Sequence, residues 1–289
     1  MGDNQKQINQ VYKSGKILKD ILGWRAEKDQ FHGRDEYAID DIPEYSDADD
    51  LKDIDPDFGY NFSVEHKYIK GWKLHIRYIK FPEPDTKPNN INITRANIES
   101  VKEEIFGEDG EGNREDNVII VLPFKTTTAY DTYINYVDTI NMHNEKPDGT
   151  SDLAKRILNW RRSPAAAAAA VTEESDSEAD ADADAEQVGI GKNIKYTLRH
   201  MNNIQILHIN ALNVNILEHE MVPKHEIIRN YKEIKRILKE HNCSNKTQFP
   251  VIQKHDAVAE ILGLVPGDMV KIYRSSIASG ESVFYRICK

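Results

Sequence analysis

The most regular alternation in this chain runs from Trp72 to Tyr78. Trp72, Leu74, Ile76 and Tyr78 take every second position, with Lys73, His75 and Arg77 between them. A period of two predicts a half-buried β-strand. Gly71 precedes it, where a turn out of a strand over Glu65–Lys70 needs backbone freedom, so the pair reads as a hairpin. Val118 to Leu122 is a continuous apolar run, the pattern of a short strand buried on both faces. Helical spacing opens the chain, with Ile8, Val11, Ile17, Leu18, Ile21 and Leu22 recurring ahead of Trp24. It returns after Thr94, a candidate cap, where Ile98, Val101 and Ile105 share a face and Gly107 and Gly110 close the segment. Tyr130, Ile134, Val137 and Ile140 predict another helix, and Leu153, Ile157, Leu158 and Trp160 a short one.

Towards the C-terminus the elements shorten. Pro223 reads as the start of a helix with Ile227, Tyr231, Ile234 and Leu238 on one stripe. Phe249 to Ile252 reads as extended. Asp256 is placed to cap a helix through Val258 and Ile261–Leu262 that stops at Gly263. Pro266-Gly267 suits a type II turn. Strands over Met269–Tyr273 and Ser282–Cys288 follow, joined by a polar Ser275–Gly280 connection short enough for a hairpin.

Two segments fit no period. Residues 27–57 hold thirteen acids against Lys28, Arg34 and Lys52, and read as an acidic loop or peripheral insertion. Residues from about 144 to 195 include Ser163-Pro164, six consecutive alanines and eight acids without a base between Glu173 and Glu186. Repelling carboxylates and few large apolar groups leave most of this stretch nothing to bury, so it reads as a low-complexity insertion. The formal net charge of −10 is therefore unevenly spread. His219 to Lys289 carries twelve bases and eight acids, mildly basic on its own.

Length and composition exclude other classes. A chain of 289 residues holds one large domain or two modest ones with real cores. No apolar run approaches the length of a membrane span, and the opening residues lack the apolar stretch of a signal peptide. Lys6 stands where a myristoylation motif needs Ser or Thr. Two cysteines, Cys243 and Cys288, rule out a disulfide framework and a four-cysteine zinc site, and fit a reducing compartment.

The C-terminal residues carry a denser signal. Asn215-Ile216, Glu218-His219-Glu220 and Val222-Pro223-Lys224-His225 come first. Pro250, Ile252, Asp256, Val258-Ala259, Gly263 and Gly267 follow. Val270-Lys271-Ile272, Arg274, Ser276, Gly280 and Tyr285-Arg286 close the string. In this order they resemble the assembly domain of the jaw-forming subunit shared by nuclear RNA polymerases I, II and III, which has a small counterpart in the archaeal enzyme. Tyr12-Lys13, Ile17-Leu18, Asp20 and Gly23-Trp24 are similar to that family's first helix, although Leu22 and Trp24 replace its usual Arg and Tyr. Ala257 replaces its Pro after the matched Asp. Ser276-Ile277-Ala278-Ser279-Gly280 loses an acid and a hydroxyl from the family's loop.

The resemblance implies two domains. An α/β, endonuclease-like jaw would span residues 1–210, interrupted by the acidic loop and the low-complexity insertion. A small α+β assembly domain with a mixed sheet would span 211–289. It implies a non-catalytic subunit of a DNA-dependent RNA polymerase that docks on the largest subunit, beside the other polymerase subunits and downstream duplex DNA. No membrane, small-molecule substrate, cofactor or metal is implied. The motif positions expected at the partner interface are Asn215, His219, Pro223, His225, Pro250, Asp256, Gly267, Lys271, Arg274, Tyr285 and Arg286. Usage heavy in Ile, Asn and Lys, together with the insertions, points to a large DNA virus or a divergent protist, so the expected location is the nucleus or, for a virus, the virion or a cytoplasmic viral factory.

Other chemistry fits the residues less well. His219 and His225 lie six apart across Pro223, which does not give the i, i+4 helical pair of a zinc protease. Gly189-Ile190-Gly191-Lys192-Asn193 lacks the upstream Gly and the Ser or Thr of a phosphate-binding loop. Asp57 with Glu65-His66-Lys67 loosely fits the carboxylate–lysine pattern of a metal-dependent nuclease, the alternative reading; Glu233-Ile234-Lys235 shows how readily that pattern arises by chance. Lys67, Lys70, Lys73, Arg77 and Lys80 either face DNA phosphates or form the solvent face of an amphipathic hairpin. The acidic, alanine-rich insertion either recruits a basic partner or is a tolerated surface insertion.

Overall fold

The computed structural model describes residues 3–28, 37–44, 48, 61–79, 95–123, 150–160, 201–228, 231–276 and 280–289. The helix expected over Tyr130–Ile140, the cap at Thr94, Lys80, Asp57, most of the acidic loop and most of the low-complexity insertion lie outside them. The described residues group into two units. One takes those up to 23, those from 37 to 123 and those from 201 to 215; the other takes 24–28, 150–160 and 216–289.

The opening amphipathic segment is α1 (Asp3–Lys28), whose residues up to 23 belong to the first unit, with Ile8, Val11, Leu18, Ile21 and Leu22 buried. β1 (Phe62–Glu65) pairs antiparallel with β2 (Lys73–Tyr78). A crossover through α2 (Arg95–Phe106) leads to β3 (Asn117–Leu122), parallel to β2, and β4 (Ile204–His208) lies parallel on its far side. The sheet order is β1-β2-β3-β4. β3 is buried along its whole length, as its unbroken apolar run requires.

The hairpin differs from the sequence expectation in two ways. β1 ends at Glu65 rather than running to Lys70, and residues 66–72 form the turn. That turn is closed by His66 N–H donating to the Trp72 carbonyl at 2.7 Å, with Gly71 at φ 86°. Buried Trp72 determines this: its ring stacks on His66 at 4.9 Å and its Nε1–H donates to the Glu115 carbonyl at 2.9 Å. Nor is β2 half-exposed. It lies inside the sheet, and the His75 face packs under α2, where Ile105, Val118, Ile120, Leu122, Ile204 and Ile206 form the core with Val101 and Phe106. His75 is buried there with polar partners. Its Nε2 lies 3.1 Å from Asp116 Oδ2 and its Nδ1 2.7 Å from Ser63 Oγ. Asp116 also accepts the Lys73 and Asn113 backbone N–H groups, so the buried carboxylate is fully engaged. On the opposite face Tyr78 meets Ser14 of α1 at 3.0 Å.

In the second unit α3 (Asp152–Trp160) forms where Leu153, Ile157, Leu158 and Trp160 predicted a short helix. β5 (Lys224–Ile228), α4 (Tyr231–Glu240), β6 (Val251–Ile252), α5 (Ala257–Leu262), β7 (Met269–Ser276) and β8 (Gly280–Cys288) follow. The helix expected to start at Pro223 is corrected: residues 224–228 are a strand and the helix starts at Tyr231. The cause is tertiary, because β5 pairs antiparallel with β7 from Lys224↔Tyr273 to Ile228↔Met269. A five-residue stretch ending in two isoleucines serves as strand or helix until a neighbour supplies hydrogen-bond partners. β7 and β8 run longer than expected, pairing from Met269↔Ile287 out to Ser276↔Gly280, so only residues 277–279 connect them. The sheet order is β5-β7-β8-β6.

Both faces of this sheet are covered at one end. Ile228, Met269 and Ile287 pack with Ile234 and Ile237 of α4 and with Phe249. On the other face Val270, Ile272, Cys288 and Ile252 pack with Ala259 and Leu262 of α5, with Trp24 and Leu217 against them. Asp256 caps α5 through Val258 N–H at 3.0 Å, and Gly263 ends it at φ 63°. Gly267 sits at φ 94° in the Val265–Asp268 turn, as the type II reading requires.

Candidate assembly surface

Because residues directly opposite in a ladder share a face, the β5–β7–β8 register sorts the motif residues. One row of neighbours is Lys224, Tyr273 and Val283, and the next is Glu226, Lys271 and Tyr285. The reverse face carries His225, Ile272 and Phe284, then Ile227, Val270 and Arg286, with Arg274 beside Ser282. Beyond the helices the sheet is uncovered among the described residues, and both rows reach solvent: Val283 is 43% and Phe284 46% exposed.

The first face is a charge network around Glu226. Its carboxylate accepts the Tyr273 hydroxyl at 2.6 Å and pairs with Lys224 Nζ at 2.7 Å. Lys224 and Lys271 also lie over the Tyr273 ring, at 5.0 and 4.8 Å. Partial burial pulls the Glu226 carboxyl upward, but its bonds to Lys224 and Tyr273 outweigh that and leave its pKa below the ordinary range. Burial first, then the bond to Glu226, pushes the Tyr273 phenol well up, and the same carboxylate raises the Lys224 ammonium. Tyr285 is half-buried, edge-on to His241 at 5.2 Å and to Phe249 at 6.0 Å.

On the second face Arg274 is exposed and lies over the Phe284 ring at 5.3 Å. Arg286 is half-buried and donates to the Val251 carbonyl at 3.4 Å. His225 is buried and its Nδ1 lies 2.5 Å from the Pro223 carbonyl oxygen. Burial lowers its pKa, against that hydrogen bond and nearby Asp256, while Arg274 and Arg286 add to the lowering.

The ladder thus splits these four motif residues: Lys271 and Tyr285 are cross-strand neighbours on one face, with Tyr285 against the α4 and Phe249 cluster, while Arg274 and Arg286 share the other face with His225. Other motif positions lie elsewhere. Asp256 caps a helix and Gly267 makes a turn. The Pro250 carbonyl accepts Ile287 N–H at 2.9 Å, joining β6 to β8. Asn215 is buried. His219 is exposed in the turn after Ile216–Glu218, its Nδ1 accepting Met221 N–H at 3.1 Å. Glu226, Tyr273, Val283 and Phe284 belong to the surface although the motif string passes over them, and Lys224 joins them from within it. Reading residues 224–228 as helix hides the Glu226–Tyr273 pairing. The adjacent Val283-Phe284, apolar on both faces of one strand, is the signal that the sequence does offer.

The basic array of the first unit is not one uniform face. Lys67 and Lys70 are exposed in the 66–72 turn, Lys73 is half-buried, and Arg77 pairs with Glu104 at 3.0 Å while donating to the Phe62 and Ile76 carbonyls. No group of three His, Cys, Asp or Glu side chains among the described residues is placed to hold a metal ion. None of the described helices is long and apolar enough to cross a membrane.

Comparison with known proteins concentrates on this second unit. Residues 214–288 match the family described as RNA polymerase Rpb5, C-terminal domain. DNA-directed RNA polymerase subunit Rpo5 of Methanosarcina barkeri is 44% identical over 73 residues, covering 25% of this chain and 91% of that protein. Rpo5 of Nitrosopumilus maritimus is 45% identical over 69 residues, covering 24% of this chain and 81% of its own length. The Dictyostelium discoideum protein named DNA-directed RNA polymerases I, II, and III subunit rpabc1 is 38% identical over 94 residues, 32% of this chain and 44% of that protein. A match that takes in almost all of an archaeal relative, and falls on one folded unit with its own core, makes this chain a member of the Rpb5/Rpo5 family of RNA polymerase subunits.

Proposed function

We propose that this chain serves as a non-catalytic subunit of a DNA-dependent RNA polymerase, docked on the largest subunit through its C-terminal unit. The observation that carries this is the coincidence of two boundaries. The stretch that matches the Rpb5 C-terminal domain, residues 214–288, holds the whole β5–β8 sheet, and its motif side chains Lys271 and Tyr285 line one face of that sheet while Arg274 and Arg286 line the other. Charged and aromatic groups on a rigid sheet suit a specific protein interface, whereas nothing there resembles a nucleophile beside its base. Residues 1–210 would be the jaw, interrupted by its two insertions, and 211–289 the assembly domain.

The jaw would lie beside downstream DNA. Lys67, exposed in the 66–72 turn, is its best placed candidate for phosphate contact, since Arg77 is already engaged by Glu104. The nuclease alternative gains no support: Glu65 ends β1 beside Lys73, and Asp57 lies outside the described residues. The relatives named above belong to archaea and to Dictyostelium, which supports a role in cellular transcription machinery, nuclear in a eukaryote; a viral factory finds no support among them.

Affinity purification of the tagged chain at moderate salt, with quantitative mass spectrometry, tests the assembly role. Stoichiometric recovery of the two largest polymerase subunits is expected. Recovery of the chain alone would sink the role, and substoichiometric recovery would mark a regulator that mimics the subunit.

A further inference from the structure

The C-terminal sheet has an unfinished edge. β8 is nine residues long, but β6 pairs with it only at Ile287 and Cys288. Backbone direction along β8 follows from two hydrogen bonds. Ile287 N–H donates outward to the Pro250 carbonyl at 2.9 Å, and Cys288 N–H donates inward to the Asp268 carbonyl at 2.8 Å. Successive residues of a strand point their N–H and C=O groups to opposite sides. The β7–β8 register is unbroken from Ile287 to Gly280. Glu281, Val283 and Tyr285 therefore aim their backbone groups away from β7, and no described strand takes them up. At about 3.4 Å per residue, Glu281 to Tyr285 offer roughly 17 Å of open ladder. Such an edge is a template for another strand unless it is blunted by proline, a bulge or inward charge. None of these stands between Glu281 and Tyr285. The opposite edge strand, β5, is shorter, and two of its five residues, His225 and Ile228, are buried.

We propose that the outer edge of β8, Glu281 to Tyr285, takes up an extended, acid-bearing segment of the polymerase subunit on which this chain docks. The inference rests on the assembly reading above and states where and how the partner binds. Side chains beside the edge specify the segment. Phe284 and Arg286 are on one face with Arg274 reaching over the Phe284 ring, while Val283 and Tyr285 are on the other with Lys271 opposite Tyr285. An added strand alternates its side chains in the same way. It meets an apolar surface on each face, and basic groups on both. Glu226 is already balanced by Lys224, and Lys271, Arg274 and Arg286 outnumber the exposed Glu281, so the edge stays net positive and favours carboxylates on the incoming segment.

The test compares the full-length chain free and in purified polymerase by hydrogen exchange at single-amide resolution. Val283 and Tyr285 amides are expected to exchange fast in the free chain and slowly in the complex, while Ser282 and Phe284, bonded to β7, are slow in both. Val283→Pro removes an outward N–H without touching the β7 ladder, and should lower recovery of the largest subunit by about tenfold or more. Arg274→Glu should also lower recovery, with Arg274→Lys retaining it. If wild type recovers polymerase but Val283 and Tyr285 stay fast in the complex, edge pairing is overturned while the assembly reading stands. If wild type recovers no polymerase, the assembly reading fails. Protection of the free chain that grows with its own concentration would assign the edge to a second copy and overturn the proposal. The wild-type exchange data decide even if Val283→Pro does not fold.

Discussion

His225 illustrates how a single buried residue sets a pH dependence. Its pKa lies below the ordinary value of 6.5 because burial disfavours the imidazolium. In the window between its folded pKa and 6.5 the unfolded chain binds more protons than the folded one, so stability rises with pH there. The contribution is complete above 6.5 and is lost as pH falls through the folded pKa. Melting measured from pH 7.5 to pH 5 should show a decline that His225→Gln flattens. Glu226, with its pKa below 4.5, adds a separate loss only at lower pH. Asp256 acts through geometry instead, accepting Val258 N–H at the start of α5. Asp256→Ala should cost about 1 kcal/mol in denaturant unfolding, and Asp256→Asn much less, since Asn caps nearly as well.

Among the elements, α5 has only six residues, too short to persist without tertiary support. That support comes at both ends. Asp256 caps its start, and Arg25, from the last turn of α1, donates Nε–H to the Ile261 carbonyl at 2.7 Å and approaches that of Glu260 at 3.4 Å. A guanidinium on the orphan carbonyls at a helix C-terminus satisfies hydrogen bonds and complements the helix dipole. Arg25→Met keeps most of the buried stem but removes the donors; a loss of about 1.5–3 kcal/mol is expected from the equilibrium unfolding of the second unit. An unchanged midpoint would show that the contact is incidental.

For the whole molecule, the second unit draws on a distant part of the sequence. Trp24 packs against the β7–α5 core, about two hundred residues before that core in the chain. Archaeal Rpo5 consists mostly of the matched stretch, so a fragment of residues 211–289 should fold with one cooperative transition. Lacking Trp24 and Arg25, it should melt below the same unit in the full chain. About 2 kcal/mol of lost burial corresponds to a fall of roughly 8–16 °C for a domain of this size. A fragment with no transition would show that α1 is required for folding rather than for added stability.

Local pattern was enough where chemistry is local. The buried run of β3, the amphipathic α1, the Asp256 cap, the Gly267 turn and the β7–β8 hairpin each follow from a few neighbouring residues, because periodicity, capping and positive φ act over one or two turns of chain. The ordered motif from Asn215 to Arg286 likewise carries the family resemblance in the sequence alone. Pairing across the sequence was not legible. Lys224–Ile228 reads as helix or strand until β7 supplies its partners. His75 reads as a solvent-facing position until α2 covers it and Asp116 meets its ring. Lys271, Arg274, Tyr285 and Arg286 are only spaced letters until the ladder sets Arg274 and Arg286 on the face of Phe284, Lys271 and Tyr285 on the other, and leaves one edge of β8 open. Register and coverage are set by which distant segments bury one another, and that free energy resides in no single stretch of the chain.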